Sequence, residues 1–211
     1  MKEFPTQRAI SALRAVFWGG LICVFDFSFS QTTNGNGFKF DIISDAVGCL
    51  MIAWGVTQLK PLLPLERYYN AMTFVQVVAW MCVVEAVADH WVTKTPIVPG
   101  VVRSLFSLAS LAAIVSFCVA MRWLCESLAL RQATQSWRTT TYLFVCIYLL
   151  PLGLFHAAAI IAMITGQKFH FNLGPAGLLF LLVFVVPIIH LFMSTSRMKD
   201  ELQRLYPWSS L

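Results

Sequence analysis

Charge is what this chain has least of. Asp, Glu, Lys and Arg make up 12% of its 211 residues, where a soluble domain carries ~25%, too few to cover a water-facing surface of the usual kind. Other absences narrow the chemistry. The six cysteines contain no Cys-x-x-Cys pair, so neither a structural zinc site nor a disulfide framework is indicated. There is no His-Glu-x-x-His, phosphate-cradling glycine loop, nucleophile elbow or Asn-x-Ser/Thr sequon, and no enzyme class announces itself by motif. Fifteen Lys and Arg against ten Asp and Glu leave a net charge of +5. The basic residues are scattered without a stripe or recognition motif, so no nucleic-acid partner is expected.

What is present is apolar. Hydrophobic residues make up 58% of the chain and the mean hydropathy is +0.73. A disordered, collagen-like or disulfide-stapled secreted chain is excluded by that composition, and an integral membrane protein remains. One helical crossing takes about 20 mostly apolar residues, so a chain of this length holds at most about six or seven and leaves no room for a soluble domain.

Six apolar blocks can be marked, at 12–30, 42–59, 68–92, 101–123, 139–165 and 173–195. Turn chemistry at 31–37 separates the first two, Lys60, Pro61 and Pro64 close the second, and two prolines in 93–100 stiffen the connection to the fourth. The polar stretch 126–138 reads as a loop, and 197–205 as an amphipathic tail resting at the interface. Pro151 and Pro187 should kink blocks five and six. The charge-free stretch 15–25 followed by Ser28-Phe29-Ser30 has some look of a signal peptide. Asp26 and Ile22 depart from the signal and lipobox patterns, so the block is expected to be retained.

Orientation follows from the basic residues. With the N-terminus inside, Lys2, Arg8, Arg14, Lys60, Arg67, Arg122, Arg131, Arg138, Arg197, Lys199 and Arg204 are cytoplasmic, and Lys39, Lys94, Arg103 and Lys168 lie outside. Eleven against four is the bias of the positive-inside rule. Trp91 on the outer rim, with Trp123, Trp137, Tyr68 and Tyr69 on the inner one, fits an aromatic belt.

On this topology Asp26, Asp41, Asp45, Glu85 and Asp89 gather toward the outer side, joined by His90 and His170. Asp41 and Asp45 are four apart, as are Glu85 and Asp89, so each pair shares a face if its helix extends that far. His156 lies about ten residues, roughly 15 Å, below the outer end of block five. It follows Pro151 by five residues and precedes three alanines, where a neighbouring helix can approach closely. Carboxylates with imidazoles fit a divalent metal, for which Asp41, Asp45, Glu85, Asp89 and His156 are the candidate ligands. They equally fit a proton or ion relay, or acid–base work at the outer leaflet. The structural alternatives are an N-cap at Asp41, a dipole-favoured acid at Asp45, a Glu85–Arg103 ion pair and a neutral His156 bonded between helices. The cysteines read as buried packing residues, and His190, just after Pro187, as structural.

The stretch 20–26 (Gly-Leu-Ile-Cys-Val-Phe-Asp), followed by 40–48 (Phe-Asp-Ile-Ile-Ser-Asp-Ala-Val-Gly) and Ile52-Ala-Trp-Gly55, resembles a group of small bacterial multi-pass membrane proteins. In those, an Asp closes the first helix and an Asp-Ile-x-Pro-Asp-x-x-Gly-Tyr motif opens the second. Ser44 stands here where that group has Pro, and Cys49 where it has Tyr. The resemblance covers about forty residues, implies a bacterial inner membrane, and draws attention to Asp26, Asp41, Asp45 and Gly48. No activity is established for the group.

The expected fold is therefore all-α: a single transmembrane domain over 1–211, six helices as three hairpins, both termini cytoplasmic. Small-residue contacts are expected at Ser44/Gly48, at Ala109/Ala113 and along 157–159. The expected function is an inner-membrane protein whose outer acidic and histidine cluster binds an ion or organises a partner. Alternatives are a metal- or carboxylate-dependent membrane enzyme and a small secondary transporter. The expected partners are the lipid bilayer and another membrane protein or a second copy.

Overall fold

In the computed structural model the backbone is described for residues 5–24, 28–33, 36–41, 45–91, 98–166 and 176–206. Within these, the side chains at 24, 28–33, 36–41, 45, 87–91, 98–100, 103 and 176–182 lie outside the description. The chain forms α1 (Thr6–Val24), β1 (Ser28–Thr33), β2 (Asn36–Asp41), α2 (Asp45–Leu59), α3 (Glu66–Trp91), α4 (Val98–Ser127), α5 (Arg131–Leu143), α6 (Leu150–Thr165) and α7 (Ala176–Leu205). A 3-10 turn at Lys60–Leu62 follows α2, and a π-helical turn at Phe144–Leu149 joins α5 to α6 without a break. Among the described residues the fold apart from one hairpin is helical, and there α1, α2, α3, α4, α5–α6 and α7 make six rods.

Successive rods pack antiparallel. The α1–α2 contact is backbone to backbone: a Cβ at Gly19 would sit 2.5 Å from the carbonyl oxygen of Gly48, and one at Gly55 2.7 Å from that of Ala12. Small residues admit such an approach, and each methyl would wedge the helices apart. Tyr68 at the start of α3 donates its hydroxyl hydrogen to the Leu59 carbonyl at 2.8 Å, and Gln76 donates to Thr57 Oγ1 at 2.9 Å, which sets α2 against α3. Arg67 lies over the Trp123 ring at 4.9 Å, joining the start of α3 to the end of α4. The edge of Phe117 meets Trp137 at 6.0 Å between α4 and α5. Phe17 on α1 lies 5.3 Å from Phe192 on α7, bringing the last rod back to the first.

Three segments, Glu66–Ala86, Ser104–Ser127 and Arg131–Thr165, are long and apolar enough to cross a membrane, and Ala46–Leu62 is a shorter apolar helix. Their large apolar side chains face outward as often as inward: Val84, Leu154 and Ile164 are all more than two-thirds exposed. Water would penalise that arrangement, whereas lipid tails do not.

Several expectations are corrected. The 31–37 segment is not an open loop: β1 and β2 pair antiparallel from Ser28↔Asp41 to Thr33↔Asn36, so the first helix ends at Val24 rather than at residue 30. Residues 126–138 are mostly helix. α4 continues to Ser127 and closes in a Schellman turn, in which Ala129 N–H bonds the Glu126 carbonyl and Leu130 N–H that of Cys125. Ala129 carries the left-handed φ of 56° that this turn requires. The segment 197–205 is no separate tail. α7 runs through it and buries Met198 and Leu202 completely, because these positions repeat the i, i+4 spacing of its inward face. Tyr68 and Trp137, expected in a rim belt, are fully buried core residues. Of the expected small-residue contacts, Gly48 and Ala113 are closely packed and Ala109 lies against the core, Ser44 lies outside the described residues, and Ala157 is exposed; Gly19 and Gly55 pack closely as well.

Both prolines are accommodated locally. The π turn ends just before Pro151, loosening the ladder where the missing N–H would break it. Pro187 is inside α7, where its missing N–H frees the Val183 carbonyl, and Tyr148 donates its hydroxyl hydrogen at 2.6 Å to the neighbouring Phe184 carbonyl. α6 stops where expected, at Thr165, because Gly166 adopts a left-handed φ of 69°.

Candidate functional site

The most connected polar assembly lies between α5 and α7. Ser136 and Thr140 are one turn apart on α5, and His190, Ser194 and Arg197 follow at one-turn spacing on α7, so both helices present a polar stripe to the same seam. Ser136 Oγ and Ser194 Oγ are 2.8 Å apart, and Ser194 Oγ and Thr140 Oγ1 2.7 Å. His190 Nδ1 lies 2.8 Å from Thr140 Oγ1. Arg197 Nη1 donates to Ser136 Oγ at 3.4 Å. Ser194 and Thr140 are fully buried and Ser136 nearly so.

Each hydroxyl has one proton to give. With Arg197 donating into Ser136, one complete ordering of the protons runs from Ser136 to Ser194 to Thr140. Thr140 then gives its proton either to His190 Nδ1 or to the Ser136 carbonyl, 3.0 Å away. In the second case His190 must carry its own proton on Nδ1 and donate back. The seam is thus a hydrogen-bonded line from an exposed guanidinium to an imidazole with more than one proton arrangement. Buried hydroxyls that satisfy one another in this way suit a relay or a rigid mount, not attack on a substrate.

Outside the seam a cleft of about 380 Å³ is lined by Gln132, Gln135, Ser136, Thr139 and Arg197. Glu201 of α7 caps the start of α5, its carboxylate accepting the backbone N–H of Gln132 at 3.1 Å and of Ala133 at 2.8 Å. A carboxylate there satisfies two of the orphan donors at the start of α5 and matches its dipole. With Glu201 engaged by α5, Arg197 and the two amide side chains are the groups that face the cleft.

Comparison with family models, with curated proteins and with solved structures finds no match in any of the three. Nothing but the chain's own geometry therefore bears on its chemistry.

The acidic and histidine residues singled out from the sequence fall mostly outside the described side chains. Asp26 and His170 lie outside the described residues altogether. For Asp41, Asp45, Asp89 and His90 only the backbone is described: Asp41 ends β2, Asp45 opens α2, and Asp89 and His90 sit in the last turns of α3. Arg103 is in the same position, so the Glu85–Arg103 pair lies outside the description. Glu85 is half-buried on α3 near Cys82. His156 is half-buried on α6, its ring edge-on to Phe155 at 5.7 Å. Among the described residues no group of three His, Cys, Asp or Glu is placed to hold a metal ion.

Sequence reading missed the α5–α7 seam. The signal was available: Ser136-x-x-x-Thr140 and His190-x-x-x-Ser194-x-x-Arg197 are polar residues at helical spacing. Assigning 126–138 to a loop hid the first stripe, and pairing the two stripes is a tertiary fact. The cysteines were read as buried packing residues: Cys49, Cys118 and Cys125 are buried, Cys23 and Cys82 half-buried and Cys146 exposed.

Proposed function

We propose that this chain is a six-crossing protein of a bacterial inner membrane, three helix hairpins with both termini cytoplasmic, that holds a phosphate-type anionic group in the α5–α7 cleft at its cytoplasmic face. The antiparallel packing of successive rods, the three long apolar segments and the eleven-to-four distribution of basic residues support the topology. Helix length supports the cleft's position. The unbroken rod Arg131–Thr165 has 35 residues, about 52 Å at 1.5 Å per residue, against roughly 30 Å of hydrocarbon. Its polar first turns and the matching end of α7 therefore stand out at the membrane surface.

The observation that carries the binding reading is the convergence of the exposed Arg197 guanidinium with Gln132, Gln135 and Thr139 on one cleft, anchored from behind by buried Ser136. A planar guanidinium flanked by amide and hydroxyl donors is suited to phosphate oxygens. The test is thermal unfolding of the purified chain with phosphatidylglycerol, with phosphatidylcholine and with inorganic phosphate. Phosphatidylglycerol should raise the midpoint of the native chain and not that of Arg197→Gln. A response to inorganic phosphate as well would mark a soluble ligand, and equal shifts in both chains would refute the site. A C-terminal reporter reading outside the membrane would refute the topology.

A second reading keeps the outer acidic residues as an ion site. It is favoured by chain placement: antiparallel packing of α2 on α3 brings Asp45, at the start of α2, to the same end as Glu85, Asp89 and His90. Elemental analysis of the native chain and Asp45→Asn tests it, and an unchanged metal content would count against it.

A further inference from the structure

Three of the six cysteines come together from three different helices. Cys23 Sγ on α1 lies 3.8 Å from Cys49 Sγ on α2. The Cys82 thiol on α3 shares a hydrogen bond with Cys49 and lies 3.9 Å from Ser110 Oγ on α4. The glycine contact makes this possible, since a Cβ at Gly48 would stand 2.6 Å from Cys23 Sγ. Cys23 and Cys82 are partly exposed, whereas Cys49 between them is buried. The spacing is not that of a metal centre. It is that of a thiol hydrogen bond between Cys23 and Cys49; a disulfide is about 2.05 Å long, so the two sulfurs are short of bonding by about 1.8 Å, within the sweep of side-chain rotation.

We propose that Cys23, Cys49 and Cys82 form a thiol–disulfide relay with Cys49 at its centre. The oxidant is a disulfide compound in the outer compartment. The Cys23 thiolate attacks one of its sulfurs, forming a mixed disulfide and releasing the first thiol. Cys49 then attacks Cys23 Sγ, which forms the Cys23–Cys49 bond and expels the second thiol. Two cysteine protons end on the two departing thiolates, and two electrons reduce the compound to its dithiol. Cys82 next attacks Cys49 Sγ, so the bond moves to Cys49–Cys82 and Cys23 returns to the thiol. Exchange of this kind needs a thiolate within reach of a disulfide sulfur and a compartment that maintains oxidised thiols. The position of the three sulfurs at the outer end rests on the six-crossing topology. Their proximity does not.

The experiment uses full-length protein in membranes, exposed to oxidised glutathione, with remaining thiols counted by maleimide mass-tagging after denaturation and bonds located by peptide mapping. The native chain should lose two of its six thiols, and mapping should find both Cys23–Cys49 and Cys49–Cys82. Cys82→Ser should still lose two, through Cys23–Cys49 alone. Cys49→Ser should form neither bond and should trap glutathione on Cys23. Six intact thiols in the native chain would overturn the relay, as would a bond to Cys118, Cys125 or Cys146. A membrane-impermeant reductant that opens the bond only from the cytoplasmic face would overturn the topology and leave the relay standing.

Discussion

Gly19 and Gly20 are neighbours on α1 with opposite surroundings, and replacing each by alanine separates packing from propensity. A Cβ on Gly19 would lie 2.5 Å from the Gly48 carbonyl oxygen, 2.9 Å from Ile52 Cγ1 and 3.0 Å from Met51 Cβ, whereas one on Gly20 meets nothing within 4 Å. Ordinary contact begins near 3.4 Å, so Gly19→Ala must part α1 from α2 by about 0.9 Å at a point where the obstacle is backbone and cannot rotate away. Overpacking of this kind costs about 1–3 kcal/mol. Both substitutions gain the same helix propensity, about 0.5–1 kcal/mol, so it cancels in the comparison. Gly20→Ala should therefore melt at or above the native chain. Gly19→Ala should melt below Gly20→Ala by the packing term alone, a few degrees to about ten at roughly 2–4 °C per kcal/mol. Thermal unfolding in one detergent, followed by circular dichroism, measures both. Equal midpoints for the two variants would show that the helices do not touch at Gly19, and with that the register that brings Cys23 to Cys49 would fall.

Two further outcomes follow from single residues. Glu201→Gln keeps the shape of the α5 cap but removes its charge from a partly exposed helix start, so it should cost about 0.5–1 kcal/mol and speed hydrogen exchange at the amides of Gln132 and Ala133. Unchanged exchange there would refute the cap. Ala129→Gly should stabilise the chain by about 1 kcal/mol, because glycine adopts the left-handed conformation that costs alanine strain. A lowered midpoint would mean that the α4 terminus is not a Schellman turn.

The helical blocks were legible because a crossing must satisfy every backbone group internally and carry enough apolar length, and both requirements are written in local composition. The fifth apolar block was read as ending at Thr165, which is where α6 ends. Boundaries failed where polarity was taken for irregular structure. Arg131-Gln-Ala-Thr-Gln-Ser-Trp137 is polar yet helical, because its Ala133, Ser136 and Trp137 are buried against neighbouring helices while Arg131, Gln132 and Gln135 face out. At the hairpin, 28–30 was read as the end of the first helix and 31–37 as turn residues, although Phe29, Thr32 and Thr33 favour a strand. Of the candidate site, only the residue types were visible.

Composition and periodicity determined by themselves that this chain is an apolar helical protein, roughly where its rods lie, and which way its basic residues would orient them. These depend on each segment's own hydrophobic length and charge. Only the tertiary structure decided which helices touch. It opposed Gly19 to Gly48, Ser136 to Ser194 and Cys23 to Cys49, pairs separated by 26 to 58 positions. Their meeting depends on helix register and on glycine-deep approach, quantities that no single segment contains.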